Sequence, residues 1–311
     1  RALGIEPFAE VIVGPVTDPG GIMPIPMLNC IPIIADSAPG SYNVDAQQVE
    51  KVISPLTSAI LVGHIAGEPA DIEGIMAVAR KHGIPVVEDC AQAHGATLNG
   101  KVVGSFGDVA AISTMSGKHF ITGCQGGLVY TKSEELYRAA RLASDRGKPF
   151  FLPEGSTNQI ASLNHNLSDL GAAIGRVQLK KLPGIVEGRR AFVARLTEGF
   201  EDMYLQSVSV PPQLPGAEPS YFWWRIRFNM ENLACDRDTF CAALAAEGVL
   251  VQPTYFMPHK MDWFIHRRAF GTSGYPWASP LYKGDPDREF QCPNAEAAMD
   301  SHILLTVTES W

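Results

Sequence analysis

The sequence predicts an α/β protein with a mainly parallel sheet in its first half and a smaller α/β unit after it. Three observations point there. Short apolar, β-branched runs alternate with stretches of helical period. An aspartate and a lysine sit at the carboxyl ends of two such runs, where open parallel sheets bind ligands. The character changes after Pro211–Pro212, where an aromatic run and a short helical pattern follow. A chain of 311 residues suits one large α/β domain or two ordinary ones.

Glu10–Val13 (EVIV), Ile31–Ala35 (IPIIA), Ala59–Gly63 (AILVG) and Ile84–Glu88 (IPVVE) read as buried strands, being short, apolar and β-branched. Between them, Asp45–Ile53 and Asp71–Lys81 carry apolar residues at helical spacing. In the second, Ile72, Ile75, Val78 and Ala79 share a face, with Asp71 as N-cap and Gly83 as C-cap. This β–α–β–α rhythm predicts parallel strands with helices on the faces of the sheet. Val109–Thr114, Gly127–Thr131 and Ser207–Val210 add three strands. Ser133 caps a helix over Glu134–Ala143, and Arg146–Thr157 is a polar loop. A long helix beginning at Asp169 (DLGAAIGRVQLKKL) is expected to break at Pro183–Gly184 and resume over Glu187–Asp202. Tyr221–Phe228 (YFWWRIRF) is an aromatic strand, its run Tyr221–Trp224 expected to alternate between core and surface. Arg237–Glu247 is a helix closed by Gly248.

Composition narrows the function. A net charge of −8, with no dense Lys/Arg stripe, argues against nucleic-acid binding through phosphates. No run of 18 apolar residues exists, so no membrane span is expected; the most apolar stretch, Ile22 to Ala35, holds three prolines. The opening RALGIEPFAE is not a signal peptide. Six cysteines are scattered without CxxC or zinc spacing, which predicts reduced thiols, a cytoplasmic protein and no metal.

The chemistry concentrates in three segments. VVEDCAQAHG puts Asp89 at a strand end. STMSGK brings Lys118 out of a Ser/Gly turn after another strand. GCQGGL lets backbone approach closely, because glycine has no Cβ. An acid and a lysine so placed suit pyridoxal phosphate, which is held as a Schiff base on lysine while an acidic partner keeps its ring nitrogen protonated. Ser113 could donate to the phosphate. On spacing alone, a strand-end aspartate also serves as a helix cap, and such a lysine also points to solvent.

The wording of VVEDCAQAHGATLNGKVVGSFGDVAAIST, GKHFITGCQGGLVYT and LNHNLSDLGAAIGRVQLKKL resembles the DegT/DnrJ/EryC1/StrS aminotransferases over nearly the whole chain. The resemblance implies the fold-type-I, aspartate-aminotransferase-like architecture: a large cofactor domain over residues 1–185 and a small domain over 186–311. It implies pyridoxal 5'-phosphate as cofactor. It places Lys118 as the Schiff-base lysine, with Ser113 five residues before it and Gly126–Gly127 eight and nine after. Asp89 matches the carboxylate on the ring nitrogen, Gln92 the side chain near the phenolic oxygen, and Ser113 a phosphate ligand. Asn164 matches an asparagine reaching the neighbouring subunit's phosphate, which implies a homodimer with shared sites. The implied reaction moves an amino group from glutamate or glutamine to a keto sugar, nucleotide-linked, or a keto cyclitol. Two rivals stand beside it: a pyridoxal phosphate-dependent dehydratase or lyase, against which Lys118 argues, and a catalytically silent or regulatory homologue.

His64 and His94 read as structural histidines, whereas His259, after VQPTYF, is a candidate for facing substrate. Asn164 could also simply form the turn before a helix capped by Ser168. Against the family pattern, Asp18 replaces an aromatic after Thr17, and His165–Asn166 replaces a Tyr-Arg pair after Asn164, which would alter the usual sugar-nucleotide contacts. The family's opening section, ending in a Ser-Gly-Thr-Ala type turn that binds phosphate, and its closing helix after SHILLTVTESW are expected to be missing from both domains' outer ends.

Overall fold

The computed structural model describes residues 1–202 and 207–308. Six strands form the central sheet in the order Ile31–Ile34, Glu10–Val13, Thr57–Gly63, Val86–Asp89, Val109–Ser113, Gly127–Tyr130. The first five are parallel and the last is antiparallel. Glu10–Val13 and Ile31–Ile34 are buried at every position, because both faces of the sheet are covered. On one face, Val11 and Val13 pack with Trp223, Met299 and Leu304 from the C-terminal part. On the other, Ile12, Ile33 and Ile60 meet Ile72 and Ile75. The chain leaves its first strand to one side and returns to the other for the third. That reversal opens a crevice at the carboxyl ends, lined by Gly14, Thr17, Asn43 and Gly63.

The helices follow from their caps. Asp45 accepts from the Gln48 N–H at 2.8 Å and Asp71 from the Gly74 N–H at 3.1 Å. Helix Ile72–His82 buries Ile72, Ile75, Met76 and Ala79, so Met76 takes the place expected of Val78. The long helix breaks earlier than its proline suggests, into Asp169–Leu179 and Leu182–Asp202. Pro183 lies in the first turn of the second piece, where a missing N–H costs nothing. Helix Asp169–Leu179 buries only Gly171 and Gly175. A Cβ on Gly175 would lie 2.8 Å from Thr122 Cγ2, so this helix reaches the segment after Lys118 through glycines.

The second sheet is antiparallel, in the order Val251–Gln252, His302–Thr306, Trp223–Phe228, Val208–Ser209. The expected alternation of the aromatic run is wrong: Trp223, Trp224, Arg225 and Ile226 are all buried. Trp223 faces the first of the cores on the central sheet, while Trp224 packs with Val193 and Ile303 in a third. The strand also starts later than expected, because Tyr221 has φ +49° and turns the chain. Sequence patterning did not find His302–Thr306, the terminal run that fills the middle of this sheet; residues 309–311 lie outside the described residues. Nor did it find the hairpin Thr97–Leu98 to Lys101–Val102, which turns on Asn99–Gly100, both with positive φ. Among the described residues no helix is long and apolar enough to cross a membrane.

Candidate active site

Parallel register sets Gly63, Asp89 and Ala111 level at the carboxyl edge of the sheet. Asp89 ends its strand, and its Oδ1 accepts from the Ala91 N–H at 2.9 Å. Among the described residues nothing donates to Oδ2. That oxygen lies beside Gly21, where a Cβ would come within 3.1 Å of it and 2.7 Å of Thr17 Oγ1. Burial pushes the Asp89 carboxyl up from its ordinary range, against the pull of the Ala91 N–H and Lys118.

Lys118 leaves the neighbouring strand end through a tight turn, its N–H bonded to Met115 O at 3.2 Å, with the Ser116 N–H on Cys124 O at 2.8 Å. Burial pushes the Lys118 amine down, while Asp89 and Asp18 draw it up. The Lys118 and Asp89 charges act on each other through space without a direct ion pair. The Lys118 Nζ lies 4.7 Å from the centroid of the Phe222 ring.

Gln92 is held at both ends of its amide. Its Oε1 accepts from the Ala66 N–H at 2.8 Å, and its Nε2 donates to Tyr255 Oη at 2.9 Å. Ser113 Oγ accepts from the Met115 N–H at 3.3 Å, directly below the turn that carries Lys118. Gly126 serves a different neighbour from the one its motif suggested. A Cβ there would overlap the hydroxyls of Thr114 and Thr122, which bond each other at 2.8 Å and close the turn.

Two histidines brace the same turn. His94 Nε2 donates to Ser113 O at 2.6 Å, and its Nδ1 meets His119 Nδ1 at 3.2 Å. His119 Nε2 donates to Ser220 O at 3.0 Å. Burial pushes both rings down, His94 to about 4 and His119 to about 2. His64, Glu88 and Cys90 gather their ligand-type atoms within 4.8 Å. The Glu88 carboxylate is already taken by His64 Nε2 and the N–H groups of Gly104, Phe106 and Gly107, and His64 Nδ1 accepts from Ala70. These contacts lock the end of the Asp89 strand.

The structure therefore brings together Lys118, Asp89, Gln92 and Ser113. Two other predicted residues lie apart from them within the chain. Asn164 is exposed, and its Oδ1 accepts from the backbone N–H and side-chain amide of Asn166 at 3.1 and 2.9 Å. His259 is buried in the turn Pro258–Lys260, where the backbone of Pro15 and the charges of Lys260, Glu296 and Asp36 act on its ring. Burial drives His259 down to about 4. Sequence reasoning missed Tyr255 and Phe222. Both lay inside runs already marked as strand-like, and no local pattern distinguishes a site aromatic from a core one.

The model of the DegT/DnrJ/EryC1/StrS aminotransferase family matches residues 1–310. The chain belongs to this family. One relative, UDP-N-acetyl-3-dehydro-alpha-D-glucosamine 3-aminotransferase of Acidithiobacillus ferrooxidans, is 34% identical over 86% of this chain and 69% of its own length. Another is a putative L-glutamine:3-amino-2,3-dideoxy-scyllo-inosose aminotransferase of Micromonospora echinospora, 29% identical over 99% of this chain and 74% of its own. The X-ray structure of an aminotransferase from Psychrobacter cryohalolentis superposes with a TM-score of 0.87 at 26% identity, covering 99% of this chain and 78% of that one. The protein is thus a pyridoxal phosphate-dependent aminotransferase of fold type I. Its residues fit that cofactor. Asp89 offers a carboxylate oxygen to which none of the described residues donates, Gly21 presents no Cβ beside it, and the half-buried Lys118 amine feels the Asp89 charge from beyond the next strand's end.

Proposed function

We propose that this aminotransferase carries an amino group from glutamate or glutamine to the ketone of a sugar, nucleotide-linked, or of a cyclitol. One observation carries the reading: Asp89 ends one strand, Lys118 follows the end of the adjacent one, and their charges act on each other without a direct ion pair. Bound there, pyridoxal phosphate would supply an electron sink for the bonds at the reacting carbon. Asp89 would hold the proton on the ring nitrogen. Ser113 would donate to the phosphate, and Gln92, fixed by Ala66 and Tyr255, would lie against the ring. Lys118 would anchor the cofactor and, once released, move protons at the reacting carbon, a task suited to an amine whose pKa burial has lowered. The names of the two relatives support both ketone classes.

The cofactor is held by a larger unit to about residue 185, with the remainder forming a smaller one. Asn164 serves a second subunit's phosphate in a homodimer. Supporting this, it follows the 70% exposed Leu163 and precedes the helix Asp169–Leu179, one face of which shows Leu170 and Val177, 74% and 56% exposed. Six unpaired cysteines suit a cytoplasmic setting. Adding glutamate or glutamine to the cofactor-loaded protein should change its visible absorbance, and a keto sugar or keto cyclitol should restore it. No change with either donor would refute the reading.

A further inference from the structure

We propose that Phe222 is a contact residue of the reaction, its ring face seating the Lys118 ammonium whenever that amine is free. The inference rests on the role given to Lys118 above and adds a partner for it. Lys118 Nζ stands 4.7 Å from the ring centroid, within reach of the negative face of the ring.

An unusual amount of structure holds that ring in place. The Phe222 N–H bonds Ala66 O, and the Ser220 N–H bonds Gly67 O, both at 2.9 Å. The approach depends on Gly67: its φ is +84°, and a Cβ there would lie 2.6 Å from the Phe222 nitrogen. Tyr221 turns with φ +49°, and Arg189 Nη1 donates to its carbonyl at 3.0 Å. His119, next to Lys118 in the chain, reaches across to Ser220 O. Trp223 packs edge-on against the Phe222 ring at 4.5 Å, and the His119 ring lies 5.9 Å away on a tilt. The backbone bonds fix the turn that carries the ring, and Trp223 and His119 pack against the ring itself. The 64–68 turn that it bonds to also feeds the Ala66 N–H to Gln92, so one clamp sets both residues.

The charged and titratable groups around Lys118 are Asp18, Asp89, His94 and His119. The two carboxylates favour the ammonium, burial opposes it, and the two histidines are neutral by burial. A leucine at 222 would keep the burial and remove the π face.

The test uses protein saturated with pyridoxamine phosphate, which leaves the Lys118 amine unattached to cofactor. Trace acetylation by acetic anhydride across a pH series, read by mass spectrometry at Lys118, gives the midpoint of that amine. Phe222→Leu should lower the midpoint by about half a unit to one and a half units, the range of a desolvated cation–π contact. Phe222→Tyr should leave it in place. Pentafluorophenylalanine at 222 keeps the ring's shape and reverses its face charge; it should lower the midpoint at least as far, which covers a leucine variant that folds poorly. An unmoved or raised midpoint in both ring-altered proteins overturns the role of Phe222. Borohydride trapping in parallel separates the two levels. Cofactor fixed on Lys118 with an unmoved midpoint removes Phe222 alone, whereas cofactor fixed on another lysine removes the reading of Lys118 and this proposal with it.

Discussion

At the scale of single residues, the account turns on groups whose proton affinity is moved by burial. Asp89 keeps a carboxylate in a place that resists charge, with one oxygen left undonated. Asp89→Asn should therefore act in two directions. Without cofactor, the variant should melt at a higher temperature than wild type at neutral pH, because it no longer buries a charge with one bare oxygen. Loaded, it should lose roughly a hundredfold or more in the proton-transfer step, as loss of a preorganised electrostatic partner does. Near-normal half-reaction rates would take Asp89 out of the mechanism. Four of the five buried histidines give a pH prediction. His94, His259 and His302 are pushed down to about 4 and His119 to about 2, so all are neutral in the folded protein at neutral pH. The unfolded chain protonates them near pH 6.5 and binds more protons than the native state below that. Stability should fall as pH drops from about 6.5 through about 4, visible as a falling urea midpoint; a flat profile would contradict it. The placing of Asp89 and Lys118 just at and after neighbouring strand ends was legible in the sequence, because a specific wording fixed their register on both sides. The surroundings of His259 were not, since a histidine after a strand-like run carries no record of which way it faces.

At the scale of elements, the strands of the central sheet were legible because parallel strands buried on both faces must be short, apolar and β-branched. The second sheet was less so. Arg225 sits inside an aromatic strand yet is 1% exposed, since it forms a bidentate pair with Glu68 and bonds Gly40 O. No periodicity in YFWWRIRF announces a buried cation, because its partner is 157 residues away. This pair ties the second sheet to the turn that carries Ala66 and Gly67. Arg225→Met should leave Glu68 buried and unpaired at a cost of about 3–5 kcal/mol, whereas replacing both partners by apolar residues should cost much less. Chemical denaturation of the two variants checks this; equal losses would show the pair is not what holds the turn. The glycines of DLGAAIG have a spatial reason: the helix passes against Thr122. Gly175→Val should displace the segment after Lys118, and weaker cofactor binding in an otherwise folded variant would report it.

At the scale of the whole molecule, the site is assembled from distant stretches: the ends of two strands, the turn at 64–68, Tyr255 and the 220–222 turn. A dimer would add Asn164. Mixing Lys118→Ala chains with Asn164→Ala chains tests this. If Asn164 acts across the interface, a mixed dimer places both defects in one site and leaves the other whole, so activity recovers in part on subunit exchange. If it acts within its own chain, every mixed site carries one defect and nothing is regained. The central claim, that Lys118 bears the cofactor opposite Asp89, has a more direct test. Cofactor-loaded protein is reduced with borohydride, digested and mapped by mass spectrometry, with Lys118→Ala as control. The account predicts cofactor fixed to Lys118 and none fixed in the control. Cofactor on a different lysine, or fixation that survives Lys118→Ala, would contradict it.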